Sequence, residues 1–131
     1  MQTYRYKLAL FIDDDEVDTI IHVSIIRNLL LAERTITYSS AKEAFIFITE
    51  MIALSQDLPE IIFLDINMPI LNGFQFLDKL KDLPSSIWIN TKIIILSSTL
   101  DKEEIEKIKS NPLVYTFICK PLTSQALKQL L

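Results

Sequence analysis

The chain has 131 residues, half of them apolar, and carries a formal net charge of −4 with an isoelectric point near 4.9. That length suffices for one ordinary buried core, the apolar content excludes a disordered tail, and an acidic balance without a Lys/Arg run argues against nucleic-acid binding. Cys119 has no second cysteine to pair with, the start MQTYRYKLALFI lacks a secretory h-region, and no uncharged run of about 18 residues follows, so one cytoplasmic domain over residues 1–131, without DNA binding or membrane insertion, is the expectation.

Along the chain, apolar runs that stop abruptly at a polar residue alternate with longer amphipathic segments. LALFI (8–12) is the first such run and meets Asp13. EVDTIIHVSIIRNLLL then reads as a helix whose inward face is Val17, Ile21, Ile25 and Leu29, at steps of four. RTITY (34–38) is a weaker strand. Ser40 and Glu43 form a capping-box pattern ahead of a second helix, AFIFITEMIAL. IIFL (61–64) runs into Asp65, and a third helix is expected from Gly73 to about Lys81. After the loop DLPSSIWINT, IIIL (93–96) runs into Ser97. DKEEIEKIKS is a charged helix with only Ile105 and Ile108 as apolar anchors, TFIC (116–119) runs into Lys120, and TSQALKQLL is a last helix capped by Thr123. Alternation of this kind predicts βαβ units and a parallel sheet covered on both faces; the expected fold is a doubly wound, flavodoxin-like (βα)5 three-layer sandwich, with the order 2-1-3-4-5 if the first and third strands are neighbours. Gly73, the sole glycine, is expected where the backbone needs a positive φ or a close approach. Asn111 ahead of Pro112 is expected to stop the fourth helix.

In an open parallel sheet, ligands bind beyond the carboxyl ends of the strands, where the winding reverses. Each abrupt polar residue falls at such an end. With the first and third strands adjacent, Asp13, Asp14 and Asp65 converge, and at an effective dielectric of about 20 each close carboxylate pair costs several kcal/mol. A divalent cation relieves that repulsion; oxygen-only ligation suits Mg²⁺, with Mn²⁺ as the alternative. Phosphoryl chemistry accounts for the rest of the set. The Lys120 ammonium and the Ser97 hydroxyl would meet the phosphoryl oxygens, which leaves Asp65 as the nucleophile. Pro121 restricts the backbone of Lys120 and aims its side chain across the pocket.

Four motifs in order, FIDDD (11–15), LDINMPILNG (64–73), ILSS (95–98) and CKP (119–121), make the chain resemble the receiver domain of two-component response regulators over essentially its whole length. The resemblance is to the stand-alone, single-domain type. It implies that Asp65 accepts a phosphoryl group from a phosphohistidine on a sensor histidine kinase or a histidine phosphotransfer protein. It implies also that Asp14 and Asp65 ligate Mg²⁺ with the Asn67 carbonyl while Asp13 acts through water. Pro69, Gly73, Ser98 and Pro121 are the supporting motif residues. In this family Ser97 and Phe117 would form the switch that alters the face made by the fourth helix, fifth strand and fifth helix, and Asn67 and Thr99 would tune the lifetime of the phosphoryl group. The downstream target is a protein not identified by the sequence, and homodimerisation stays open.

The chain departs from the family pattern in places. Ser stands at 97 where Thr is commoner, Phe117 lacks a tyrosine hydroxyl, no glycine precedes the fifth strand, and three successive aspartates leave the acidic pair open by one residue. Two other functions fit the sequence less well. A haloacid-dehalogenase-like phosphohydrolase would need a second aspartate where Asn67 stands, and a phosphorylation-independent docking module has no need of the full charge set. Among the remaining residues, His22 is expected to be a packing or surface residue, Cys119 a small buried strand residue, Glu16 and Asp18 first-turn helix charges, and Trp88 either a partner contact or a local clamp.

Overall fold

The computed structural model describes residues 3–129. Its elements follow in the order β1 (Tyr6–Ile12), α1 (Glu16–Asn28), β2 (Ala32–Tyr38), α2 (Ala41–Ala53), β3 (Ile61–Asp65), α3 (Gly73–Lys81), β4 (Lys92–Ser97), α4 (Lys102–Lys109), β5 (Val114–Cys119) and α5 (Ser124–Lys128). The strands pair in parallel as one five-stranded sheet in the order β2-β1-β3-β4-β5. This is the flavodoxin-like, doubly wound architecture expected from the alternating pattern.

Period-two side-chain direction divides each central strand between two cores. Leu10, Ile12, Ile62, Leu64, Ile93 and Ile95 join Ile48, Leu77 and Ile108, which come from α2, α3 and α4. Ala9, Phe11, Ile61, Phe63, Ile94 and Leu96 join Ile26 of α1 and Leu127 of α5. Both faces are therefore covered, so these strands read as continuous apolar runs. Each fully buried Ile, Leu or Phe contributes roughly 1.5–3 kcal/mol. Four such residues in IIFL give β3 the means to hold a carboxylate at its end.

The helix termini explain most of the boundary shifts. α1 stops at Asn28, three residues short of the predicted run, because Leu30 takes φ 54 and the Leu31 and Leu30 amides return to the Ile26 and Arg27 carbonyls. That is a Schellman closure with leucine in the usual glycine position. Ser55, at φ 54, ends α2 in the same way. Asn111 stops α4 differently: its side-chain oxygen accepts the Leu113 amide in an Asx turn.

Several expectations need correction. The buried stripe of α1 runs through His22 and Ile26, offset by one residue from the predicted face; Val17 and Ile21 are exposed, while Ile25 and Leu29 are half-buried. A polar residue in the inward stripe disguised it. Cys119 is exposed, because β5 is an edge strand with incompletely covered faces. Gly73 has no positive φ, but the close approach holds: a Cβ there would lie 2.7 Å from Ile66 Cδ1 and 2.8 Å from Ile66 Cα. Trp88 is a clamp, buried with its Nε1 donating to the Leu80 carbonyl at 3.1 Å.

Candidate functional site

Register brings the chemistry together. Ile12 pairs with Leu64, so Asp13 and Asp65 leave adjacent strands side by side. Ser97 pairs with Cys119, and the Lys120 amide donates to the Ser97 carbonyl at 2.9 Å, which fixes the backbone of the lysine beyond β5. Oxygens of Asp13, Asp14 and Asp65 lie within 4.8 Å of one another.

Asp13 is 2% exposed; its Oδ1 accepts the Asp15 amide at 3.0 Å and its Oδ2 accepts from Lys120 Nζ at 2.8 Å. Asp65 is 5% exposed, with Oδ1 accepting the Asn67 amide at 3.2 Å and Oδ2 lying 3.6 Å from Lys120 Nζ. Asp18 Oδ2 is a further neighbour of that ammonium at 3.5 Å. Asp14 is exposed. Lys120 thus meets carboxylates from β1, α1 and β3 at once.

The charge balance is incomplete. Burial, then the neighbouring Asp13, push the Asp65 carboxyl up to about 6; Lys120 and the Asn67 amide offset only part of this. Burial works against the Lys120 ammonium, yet its hydrogen bond to Asp13 and the charges of Asp65, Asp13 and Asp18 outweigh that and hold its pKa above the ordinary value. An all-oxygen cluster still short of positive charge fits a hard divalent cation such as Mg²⁺.

Ser97 is fully buried at the end of β4, where its Oγ accepts the Thr99 amide at 3.1 Å. Ser98 is exposed and Thr99 half-buried, its Oγ1 accepting the Asp101 amide. Phe117 lies on β5, half-buried against the core that also holds Ile108 of α4. Asn67 and Pro69 are exposed in the loop after β3, and the Lys120–Pro121 peptide is cis. Ile70 in the same loop takes φ 69 and is 96% exposed. Gly73 starts α3 with its amide on the Ile66 carbonyl, and Asn72 and Gln75 close a capping box there.

Sequence reading missed two features of this site. Asp18 is expected as a first-turn helix charge alone, yet its carboxylate also lies 3.5 Å from the Lys120 ammonium. His22, expected as a packing or surface residue, is buried, and its Nε2 also accepts the Leu122 amide at 3.2 Å. No local pattern announces that contact, which spans 100 residues of sequence.

The fold has solved counterparts. The chain is 31% identical to a two-component response regulator from Cytophaga hutchinsonii, with 96% of this chain and 94% of that one covered and a TM-score of 0.87. It is 28% identical to a response regulator receiver protein from Dyadobacter fermentans, with 95% and 94% covered and a TM-score of 0.81. A two-component response regulator from Legionella pneumophila, at 24% identity, shares the fold over 95% of this chain and 94% of its own with a TM-score of 0.77. No curated protein sequence matches the chain. Residues 9–131 match the response regulator receiver domain family, and the chain belongs to that family.

Proposed function

We propose that the chain is a phosphorylation-controlled signalling receiver of a two-component system or phosphorelay, with Asp65 as its phosphoacceptor. The observation that carries this reading is the convergence of Lys120 Nζ on Asp13 and Asp65, 2.8 and 3.6 Å away, which with Asp14 form a three-aspartate cluster at the mouth of the sheet. An ionised Asp65 oxygen attacks the phosphorus of a phosphohistidine. The new O–P bond forms as the P–N bond breaks, and the donor imidazole leaves. Lys120 meets negative charge on the transferred group, and Ser97 offers its hydroxyl. Water attack on the same phosphorus later returns Asp65 and inorganic phosphate, so the chain is a signalling module with self-limiting chemistry and not a conventional enzyme.

Asp13, Asp14, Asp65 and the Asn67 carbonyl are the groups proposed to hold Mg²⁺, or Mn²⁺. Bound there, the cation supplies the positive charge that one ammonium leaves wanting. Asn67 and Thr99 are proposed to set access of water to the phosphoryl group, and hence its lifetime. Ser97 and Phe117 are proposed to carry the change to α4, which sinks only Ile108 fully into the core; an element so lightly anchored needs little free energy to shift.

A protein donor is favoured by exposed apolar side chains on the segments that follow the strand ends. Val17, Ile20 and Ile21 on α1, Ile70 after β3 and Leu100 after β4 are all exposed apolar side chains on segments that follow strand ends. A histidine kinase or histidine phosphotransfer protein would cover them, whereas a small phosphodonor has no use for them. No described helix is long and apolar enough to cross a membrane.

The test is intact-protein mass after incubation with acetyl phosphate and Mg²⁺. One phosphoryl adduct is expected, absent in Asp65→Asn and absent with EDTA. Loss of both the adduct and beryllofluoride binding by the wild type would overturn the reading in favour of a phosphorylation-independent docking module.

A further inference from the structure

His22, the chain's sole histidine, sits in the middle of α1 at 2% exposure. Its ring lies 5.8 Å from that of Phe11, and its Nε2 accepts the Leu122 amide at 3.2 Å. A ring nitrogen that accepts must be unprotonated, so the proton of the neutral imidazole is on Nδ1. Nδ1 is enclosed and has no hydrogen-bond partner among the described residues. A valine or leucine would fill this volume without an orphaned donor. What imidazole supplies in exchange is a partner for a buried amide.

That amide belongs to the segment that carries Lys120. Leu122 lies two residues beyond the lysine, with its own side chain buried between the sheet and α5. Asp18 and His22 are one turn apart on the same face of α1. α1 therefore grips the segment twice: Asp18 Oδ2 lies 3.5 Å from Lys120 Nζ, and His22 Nε2 holds the Leu122 amide. From the other side the Lys120 amide is tied to the Ser97 carbonyl at 2.9 Å. The lysine backbone is thus fixed between β4 and α1.

We propose that His22 is a positioning residue for the phosphoryl site: by accepting the Leu122 amide it fixes the backbone from which Lys120 reaches Asp13 and Asp65. The proposal rests on Asp65 being the phosphoacceptor, and it assigns His22 no contact with the phosphoryl group. Burial holds the imidazole below its ordinary pKa; Asp18, Asp13 and Asp15 oppose this and Lys120 adds to it, and the net result is a neutral ring able to accept at neutral pH.

The experiment compares wild type with His22→Gln, His22→Asn and His22→Leu by two measurements: the rate of Asp65 phosphorylation from acetyl phosphate with Mg²⁺, and the NMR signals of the Lys120 side chain. Glutamine carries its carbonyl out to the position of Nε2, whereas asparagine stops short of it and leucine offers no acceptor. His22→Gln is expected to keep the rate within about threefold and the Lys120 signals in place, while His22→Asn and His22→Leu lose on the order of tenfold in rate and shift those signals. Should His22→Leu fail to fold, the Gln and Asn variants decide. Equal rates and unmoved Lys120 signals in a folded Asn or Leu variant would overturn the proposal, as would a folded Gln variant as slow as the other two. If wild type takes no phosphoryl group, the phosphoacceptor reading fails by itself, and the Lys120 signals across the four proteins still decide whether His22 positions the lysine.

Discussion

The two ends of the sheet differ in a way that separates shape from chemistry. At the amino end lies an open groove of about 1030 Å³, floored by Ile36, Phe47, Met51 and Leu58 and edged by Lys7, Arg34 and Glu60. Lys7 and Arg34 are exposed and point charge into water. At the carboxyl end Asp13 and Asp65 are buried and share the Lys120 ammonium, and Asp65 is left at about 6. Crossover connections deliver the residues after β1 and β3 to one point at that end, whereas the amino-end loops only return the chain. Convergence of desolvated charge, and not the size of a concavity, distinguishes the end at which the phosphoryl chemistry is proposed.

The sharpest way to break this contrast is to alter one charge at each end. Asp65→Asn is expected to lower phosphoryl incorporation from acetyl phosphate by at least about a thousandfold, since no other oxygen replaces the nucleophile. Arg34→Ala at the groove should leave the rate within about twofold. Intact mass against time reads both. A slowed Arg34→Ala would mean that the amino end contributes to the chemistry after all.

Next in size is Lys120→Gln. Removing the ammonium takes away the group opposed to the phosphoryl oxygens and is expected to cost on the order of a hundredfold in phosphorylation rate. It also removes the charge that partly offsets Asp13, so the Asp65 carboxyl should titrate higher than in the wild type, as a pH series of the NMR shift of its carboxyl carbon would reveal. An unchanged carboxyl titration would show that Lys120 does not balance the pocket.

Much of this contrast was legible in the sequence. LALFI, IIFL, IIIL and TFIC are strands because both faces of a parallel sheet are covered, and the residue that ends each run is the one delivered to the site. What escaped depended on partners distant in sequence. The inward stripe of α1 could not be chosen from periodicity, because His22 occupies it and Val17 and Ile21 lie on an equally regular exposed stripe. The positive φ values of Leu30, Ser55 and Ile70 carry no glycine to announce them. Cys119 reads like any core residue of a strand, and only the position of β5 at the edge of the sheet exposes it.

The exposed apolar side chains on the segments that follow β1, β3 and β4 yield a smaller effect. Ile20, 71% exposed on α1, is expected to matter only to a donor large enough to touch it. Ile20→Asp should lower the rate of transfer from a phosphorylated histidine-containing protein by about tenfold, the size of a modest interface hot spot. Transfer from acetyl phosphate should be unaffected. Parallel losses with both donors would mean that the substitution disturbs the pocket and that Ile20 is not a docking contact.

The smallest expected effect concerns stability. Asp65 binds its proton up to about pH 6 in the folded chain, against an ordinary value of 3.8, so between those values the native state holds more proton than the unfolded state. Unfolding free energy from this group therefore falls as pH rises through that window, and the loss is complete above it. Asp65→Asn has no such loss. Well below pH 3.8 the two proteins should melt together, and at pH 7 without divalent cation the variant should be the more stable. With screening through the pocket mouth the difference is about 1–2 kcal/mol, or roughly 4–7 °C in Tm. Millimolar Mg²⁺ should then raise the wild type by mass action and leave the variant nearly unmoved, because the variant has lost one of the three carboxylates that would bind the ion. A wild type as stable as Asp65→Asn at pH 7 without the ion would mean that Lys120 already balances Asp65, and the electrostatic case for a cation would fall with it.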